Sequence, residues 1–141
     1  MSLRLAAIPL IVFAFIIYNI VVVFGANADD ILRKVLFSLP SLRGHEAARW
    51  TFTTGDLLIL ITMILLFVEL LKSTWTSSTS LLDHGLSMLV FIACLIEFLL
   101  VDRAFTSVFF FIMIATLIDV VAGYTIGIRV ARRDLSIGAE H

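Results

Sequence analysis

The sequence predicts an all-α integral membrane protein: a four-helix bundle with an amphipathic interfacial helix between its first and second spans. Hydrophobic residues make up 61% of the 141 residues and charged residues only 15%, too few charges to cover a water-soluble domain of this length. Four apolar runs also approach the length of about 20 residues that a helix needs to cross a bilayer core of ~30 Å. The runs are continuous rather than alternating, which favours helices over the strands of a barrel.

The four apolar runs are predicted to be transmembrane helices, at approximately residues 5–24, 55–72, 83–101 and 105–128. The Ala26-Asn27-Ala28 triplet after the first run has the A-x-A pattern at which signal peptidase cuts. That run has 20 residues, longer than the apolar part of a usual signal sequence, so we expect the helix to be retained. The connections are too short to build a core of their own, and residues 1–141 are predicted to form a single transmembrane domain.

The long connection after the first span is predicted to contain a helix over approximately residues 28–39. Asn27 or Asp29 can cap its start, and Pro40 ends it. Its apolar residues recur at helical spacing and form one stripe, consisting of Ile31, Leu32, Val35, Leu36 and Leu39. We expect this helix to lie on the membrane surface with the stripe facing lipid. The alternative is a lid packed on the ends of the bundle.

Five polar side chains within the predicted spans are candidates for an ion path: Glu69, Asp119, Glu97, Asn19 and His84. A charged group at the bilayer centre costs at least ~2.5–3.5 kcal/mol on insertion scales, so such residues seldom face lipid. A rise of ~1.5 Å per residue places Glu69, Asp119 and His84 toward one side of the membrane and Asn19 with Glu97 toward the other. These residues either bind protons or cations or join helices through hydrogen bonds.

Small residues on the fourth span predict a helix-packing face, formed by Gly123, Gly127, Ala115 and Ala122. Gly123 and Gly127 have the G-x-x-x-G spacing that lets transmembrane helices approach closely. Similar faces on the second and third spans carry Glu69 and Glu97. We therefore expect these faces to converge in the bundle, with Glu97 pointing inward toward Asn19 or another polar partner.

Several classes of function are not supported by the sequence. The net charge of −1 gives no indication of nucleic-acid binding. The single cysteine, Cys94, excludes an internal disulfide and a thiolate metal cluster. Ser87 and His84 lie at helical spacing, but no orienting acid or oxyanion loop accompanies them. With no nucleotide-binding glycine pattern and no zinc motif, we expect no catalytic residues, no metal and no cofactor, and thus no enzyme.

Two families of four-helix membrane proteins were compared with the sequence, and it departs from both. Small multidrug exporters carry a membrane-embedded glutamate in their first helix, whereas residues 5–24 contain no acid. Voltage sensors carry arginine at every third position of their fourth helix, whereas here arginine follows the fourth span only after Ile128. No family is identified from the sequence.

Two functions remain open from the sequence. The first is an accessory or assembly subunit, with membrane lipid and either further copies of the chain or other membrane-protein subunits as partners. The alternative is a small oligomeric channel or transporter that conducts protons or cations through its intramembrane carboxylates.

The location expected from the sequence is the cytoplasmic (inner) membrane of a bacterium. Lysine and arginine divide five and five between the two sides of the predicted bundle, so their count does not set the orientation. We expect both termini to be cytoplasmic, because Arg129, Arg132 and Arg133 follow the last span directly.

Overall fold

A computed structural model describes residues 8–43, 49–75 and 81–139, except for the side chains of residues 81–84 and 134. This part of the chain is mostly helical (78%) and contains a short two-stranded sheet. The elements in chain order are α1 (Ile11–Tyr18), a π-helical segment that continues it (Asn19–Val23), α2 (Ala28–Arg33), β1 (Val35–Pro40), β2 (Arg49–Thr53), α3 (Thr54–Trp75), α4 (Leu81–Leu100), a short 3-10 helix (Asp102–Ala104) and α5 (Ser107–Gly138).

Among the described residues, two helices are long and apolar enough to cross a membrane, α3 with 22 residues and α5 with 32. Two other apolar helical stretches are shorter in the described chain, Ile11–Val23 and Gly85–Leu100. The predicted fold is therefore confirmed in its coarser form, a mostly helical chain with two helices of spanning length. Helix α5 continues to Gly138, well past the predicted end of the fourth span, because neither proline nor glycine interrupts the sequence after Gly127 until that residue.

Helix α5 is the central element of the fold, since α1, α3 and α4 all pack against it. Phe109 lies at the middle of these contacts and is fully buried. Its ring centroid is 4.8 Å from that of Tyr18 on α1 and 6.4 Å from that of Phe98 on α4. Such tilted and offset ring pairs are favourable geometries for aromatic packing. The aromatic cluster thus joins the first helix and α4 through α5.

The predicted interfacial helix over residues 28–39 is wrong in its second half. Helix α2 ends at Arg33, and β1 pairs with β2 in an antiparallel hairpin. Of the predicted apolar stripe, Ile31 and Leu32 lie in α2, whereas Val35, Leu36 and Leu39 lie in β1. Valine and the aromatic residues of both segments favour strands. The apolar residues of 28–39 recur at helical spacing, but pairing of β1 with β2 stabilises the strand more than that spacing favours a helix.

Two helix starts are fixed by local hydrogen bonds. The Asp56 carboxylate accepts from the Thr53 backbone N–H and hydroxyl, both at 2.8 Å, and the Thr53 hydroxyl oxygen accepts from the Asp56 N–H at 3.2 Å. This reciprocal arrangement is a capping box, which satisfies backbone donors at the start of α3. Thr106 caps α5, since its hydroxyl oxygen accepts from the Phe109 N–H.

Helix α3 approaches its neighbours closely at Gly55. A methyl group at this position would lie 3.0 Å from Cγ2 of Val108 and 3.2 Å from the carbonyl oxygen of Leu32. Beside it, the Thr54 N–H donates to the Lys34 carbonyl at 3.0 Å. Gly55 therefore allows α2 and the base of the hairpin to dock on the start of α3.

We expect Gly55→Leu to lower the free energy of unfolding by about 1–3 kcal/mol, because overpacking a filled contact forces the surrounding backbone to move. The matched control is Gly85→Leu, since no described atom lies within 4 Å of a Cβ built at Gly85. Chemical unfolding of the two purified variants measures the difference. An equal loss of stability in both would contradict the close packing at Gly55.

Candidate functional site

Five polar side chains of the long helices are buried, while much of the apolar surface of these helices is exposed. The buried polar side chains lie on α3, α4 and α5 and are Thr62, Glu69, Ser87, Thr116 and Asp119. On α3, by contrast, Met63 is 63% exposed and Phe67 61% exposed. A helix in a water-soluble protein normally has the opposite distribution. The candidate site is this set of inward polar groups together with Asn19 and Glu97.

Glu69 is held at both oxygens of its carboxylate. Oε2 accepts from the backbone N–H of Leu10 at 2.8 Å, and Oε1 lies 2.9 Å from the ammonium nitrogen of Lys72. The Lys72 ammonium also donates to the carbonyl of Ile8 at 3.3 Å. Glu69 and Lys72 on α3 therefore bind the chain at the start of α1. In this role the carboxylate satisfies one of the backbone N–H groups that a helix start leaves unpaired.

Asp119 lies in the region of Glu69, but only one of its two carboxylate oxygens has a described partner. Its side chain is 3% exposed, and its carboxyl group makes a hydrogen bond with Ser87 of α4. It also interacts electrostatically with Glu69 and Lys72. The Oδ2 atom of Asp119 is buried without a hydrogen-bond partner among the described residues. The structure thus brings the two predicted carboxylates into one region, where one oxygen of Asp119 has no partner among the described side chains.

Asn19 and Glu97 form the second polar pair, as the helical rise and face suggested. The Asn19 amide nitrogen donates to Oε2 of Glu97 at 3.2 Å and to the carbonyl of Phe15 at 3.0 Å. Oε1 of Glu97 is buried and has no partner among the described residues. The pair lies in an open groove of about 470 Å³ between the first helix and α4, whose other lining residues are apolar: Phe15, Val23, Ala93, Ile96, Leu100 and Val101.

A third polar cluster was not predicted from the sequence. The Tyr18 hydroxyl donates to the carbonyl of Arg103 at 2.9 Å and lies 2.7 Å from the hydroxyl oxygen of Thr106. The Arg103 guanidinium donates to the carbonyls of Val23 and Gly25 at 2.8 and 2.6 Å. These contacts tie the end of the first helical stretch to the turn before α5. The one signal in the sequence was a tyrosine well inside an apolar run, whose hydroxyl needs a partner when buried.

The predicted small-residue face of α5 is largely used within the chain. Gly123 and Gly127 are buried, Ala115 is 7% exposed, and Ala122 is half-buried. Close helix contacts of this kind are the usual role of small residues in apolar helices. Because the chain itself covers both glycines, they do not offer an open face to a second copy.

The remaining predicted residue, His84, lies on α4, but its side chain falls outside the described part of the structure. Within the described residues, no group of three or more His, Cys, Asp and Glu side chains could hold a metal ion. Chemically, the described residues of the site offer interhelical hydrogen bonds, an ion pair and two carboxylate oxygens without a described partner. The chain matches no known protein family, and no curated protein and no solved structure shows significant similarity to it.

We expect a double-mutant cycle with Asn19→Leu and Glu97→Leu to give a coupling energy of about 0.6 kcal/mol, the average for interhelical hydrogen bonds in membrane proteins. Unfolding of the wild type, both single variants and the double variant measures it. Asn19→Leu combined with Glu69→Gln is the control and should be additive, because those residues share no partner. Additivity in both cycles would show that the Asn19–Glu97 contact contributes nothing.

Proposed function

We propose that the chain is an integral membrane protein in which four apolar helices form a bundle, and that it acts without catalysis as an accessory or assembly subunit. The exposed apolar and buried polar surfaces support the membrane location, because lipid rather than water then covers residues such as Met63 and Phe67. The continuation of α5 carries Arg129, Arg132 and Arg133 beyond the apolar region. We take this end to face the cytoplasm of a bacterium, following the positive-inside rule.

The observation that carries the subunit proposal is the open groove at Asn19 and Glu97. In lipid, an acyl chain in this groove would leave Oε1 of Glu97 without a partner, which is unfavourable in an apolar medium. A helix with a hydroxyl, amide or basic side chain would fill the groove, and rotation of the Glu97 carboxyl group would bring Oε1 to that donor. The groove is therefore proposed to receive a transmembrane helix of another membrane protein.

A second copy of the chain fits the groove less well. The Asn19 amide nitrogen has two hydrogens and already donates two hydrogen bonds, to Glu97 and to the carbonyl of Phe15. A second copy docked symmetrically would bring another carboxyl group to Glu97 rather than a spare amide donor. Together with the buried position of Gly123 and Gly127, this favours a partner of different sequence over self-association.

We expect a photo-crosslinking residue at position 96 to join the chain to a specific membrane protein in its native membrane. Ile96 lines the groove. The matched control is position 99, whose leucine is 65% exposed and is not among the residues that line the groove. The crosslink should be lost in Glu97→Leu, because the buried hydrogen bond is removed, and the isolated complex should show the combined mass of both chains. A crosslink only to further copies of the chain would instead establish self-association.

Asp119 favours a second candidate function, a proton- or cation-conducting oligomer. Its buried Oδ2 atom has no partner among the described residues and lies in the region of Glu69 and Lys72. Intramembrane carboxyl groups of this kind line proton and cation pathways in transport proteins. Glu69, in contrast, is occupied at both oxygens, which favours a structural role for that residue.

For this second function we expect proton flux into liposomes that contain the purified chain, and at least a tenfold loss of flux in Asp119→Asn, since the neutral amide no longer binds a proton. A pH-sensitive dye inside the liposomes measures the flux. The control is Thr116→Val, which changes a buried polar residue one helical turn away on the same helix. Flux at the level of empty liposomes would exclude proton conduction by the isolated chain.

A further inference from the structure

The β1–β2 hairpin has one apolar face and one more polar face. In the strand register, Phe37 is opposite Phe52 and Leu39 is opposite Trp50. Because side chains alternate along a strand, these four residues share one face of the sheet. The other face has Ser38 opposite Thr51 and Pro40 opposite Arg49.

The aromatic rings of the apolar face pack against one another, but the rest of the described chain does not cover this face. The Phe37 and Phe52 rings stack with centroids 4.8 Å apart, and the Trp50 ring lies 5.9 Å from each of them. Yet Phe37 is 48% exposed, Leu39 53% and Trp50 57%. A two-stranded hairpin with an open apolar face is at best marginally stable in water. The face therefore requires a surface against which to pack.

The position of the hairpin identifies that surface. Strand β2 ends at Thr53 and α3, the better-exposed helix of spanning length, begins at Thr54 without a linker. The Thr54 N–H also donates to the Lys34 carbonyl just before β1, so the base of both strands is fixed to the first turn of α3. If α3 crosses the bilayer, its end lies at the headgroup layer, where tryptophan and other aromatic rings are most favourable.

The charges of the hairpin fit anionic headgroups. Residues 34–53 contain three cations, Lys34, Arg43 and Arg49, and one acid, Glu46. Asp56, next to the hairpin, is engaged in the cap with Thr53, and Asp29, Asp30 and Asp102 line a separate recess beside Arg103. Basic residues near a membrane surface are attracted to anionic lipids. The segment next to the aromatic face is thus positively charged.

We propose that the β1–β2 hairpin is a membrane-interface anchor, which lays its Phe37–Leu39–Trp50–Phe52 face into the headgroup layer of an anionic lipid bilayer. The inference depends on the membrane location proposed above, but not on the accessory role. The amphipathic element between the first helix and α3 is then a sheet rather than a helix. It holds one end of α3 at a defined depth, as aromatic belts do for other spans.

Tryptophan quenching by brominated lipids tests the depth of the hairpin. Trp75→Phe leaves Trp50 as the sole tryptophan of the full chain, and this variant is reconstituted in phosphatidylcholine nanodiscs. Bromine near the headgroups should quench Trp50 about twofold more strongly than bromine near the acyl-chain ends, because interfacial rings stay at the headgroup level. The matched control is Trp50→Phe, in which Trp75 at the far end of α3 is the reporter.

The two reporters separate failure of the anchor from failure of the membrane location. Quenching of Trp75 without quenching of Trp50 would overturn the anchor and point to a protein partner, or to water, over the aromatic face. Quenching of neither tryptophan would overturn the membrane location itself. Quenching of Trp50 mainly by deep bromine would also overturn the anchor, since the hairpin would then be inserted in the hydrocarbon core.

A second comparison tests the lipid charge. Adding phosphatidylglycerol to the nanodiscs should shift the Trp50 emission to shorter wavelength and increase its quenching by shallow bromine. The shift should disappear in Lys34→Gln/Arg49→Gln, because the attraction to anionic headgroups is removed. Arg132→Gln/Arg133→Gln, at the end of α5, serves as the charge-matched control and should retain it. No response of the wild-type hairpin to phosphatidylglycerol would overturn the preference for anionic lipid.

Discussion

The arrangement of the helices depends on how polar groups on apolar helices are satisfied within the chain. A buried polar atom without a partner is costly, and more so where water is excluded. Glu69 therefore binds the Leu10 N–H and Lys72, and Tyr18 binds the Arg103 carbonyl. The contacts of Glu69 with Leu10 and of Tyr18 with Arg103 join segments 59 and 85 residues apart in sequence. Together they hold the first helix against α3 and against the turn that precedes α5.

Helix α5 connects the other helices in one fold. It packs against α1, α3 and α4, and its buried residues include small and polar ones beside large ones such as Phe109. Ala115 and Thr116 allow close contact, and the Thr116 hydroxyl donates to the Met113 carbonyl of its own helix at 2.6 Å. Self-satisfied hydroxyls of this kind place a polar residue in an apolar contact at little cost. Helix α5 can thus be buried although not every polar side chain on it has a hydrogen-bond partner on another helix.

The two unsatisfied carboxylate oxygens differ in their surroundings, and this difference underlies the two functional proposals. Oε1 of Glu97 is itself buried, but it belongs to a residue that lines an open apolar groove. Oδ2 of Asp119 belongs to a side chain only 3% exposed, in the region of a second carboxylate and a lysine. The first environment suits a docking contact. The second suits the binding of a proton or a small cation.

The sequence by itself determined the helical character of the chain, because long apolar runs must satisfy their backbone groups internally. It also placed Asn19 and Glu97 at one depth, since depth follows from the rise per residue of a regular helix, but it left open whether Asn19 or another polar group is the partner of Glu97. Only the tertiary structure decided that Val35, Leu36 and Leu39 belong to a strand and that Tyr18 contacts Arg103, 85 residues away. The strand pairing and the Tyr18 contact each depend on which distant segment packs beside the residue. The local periodicity of the sequence does not contain that information.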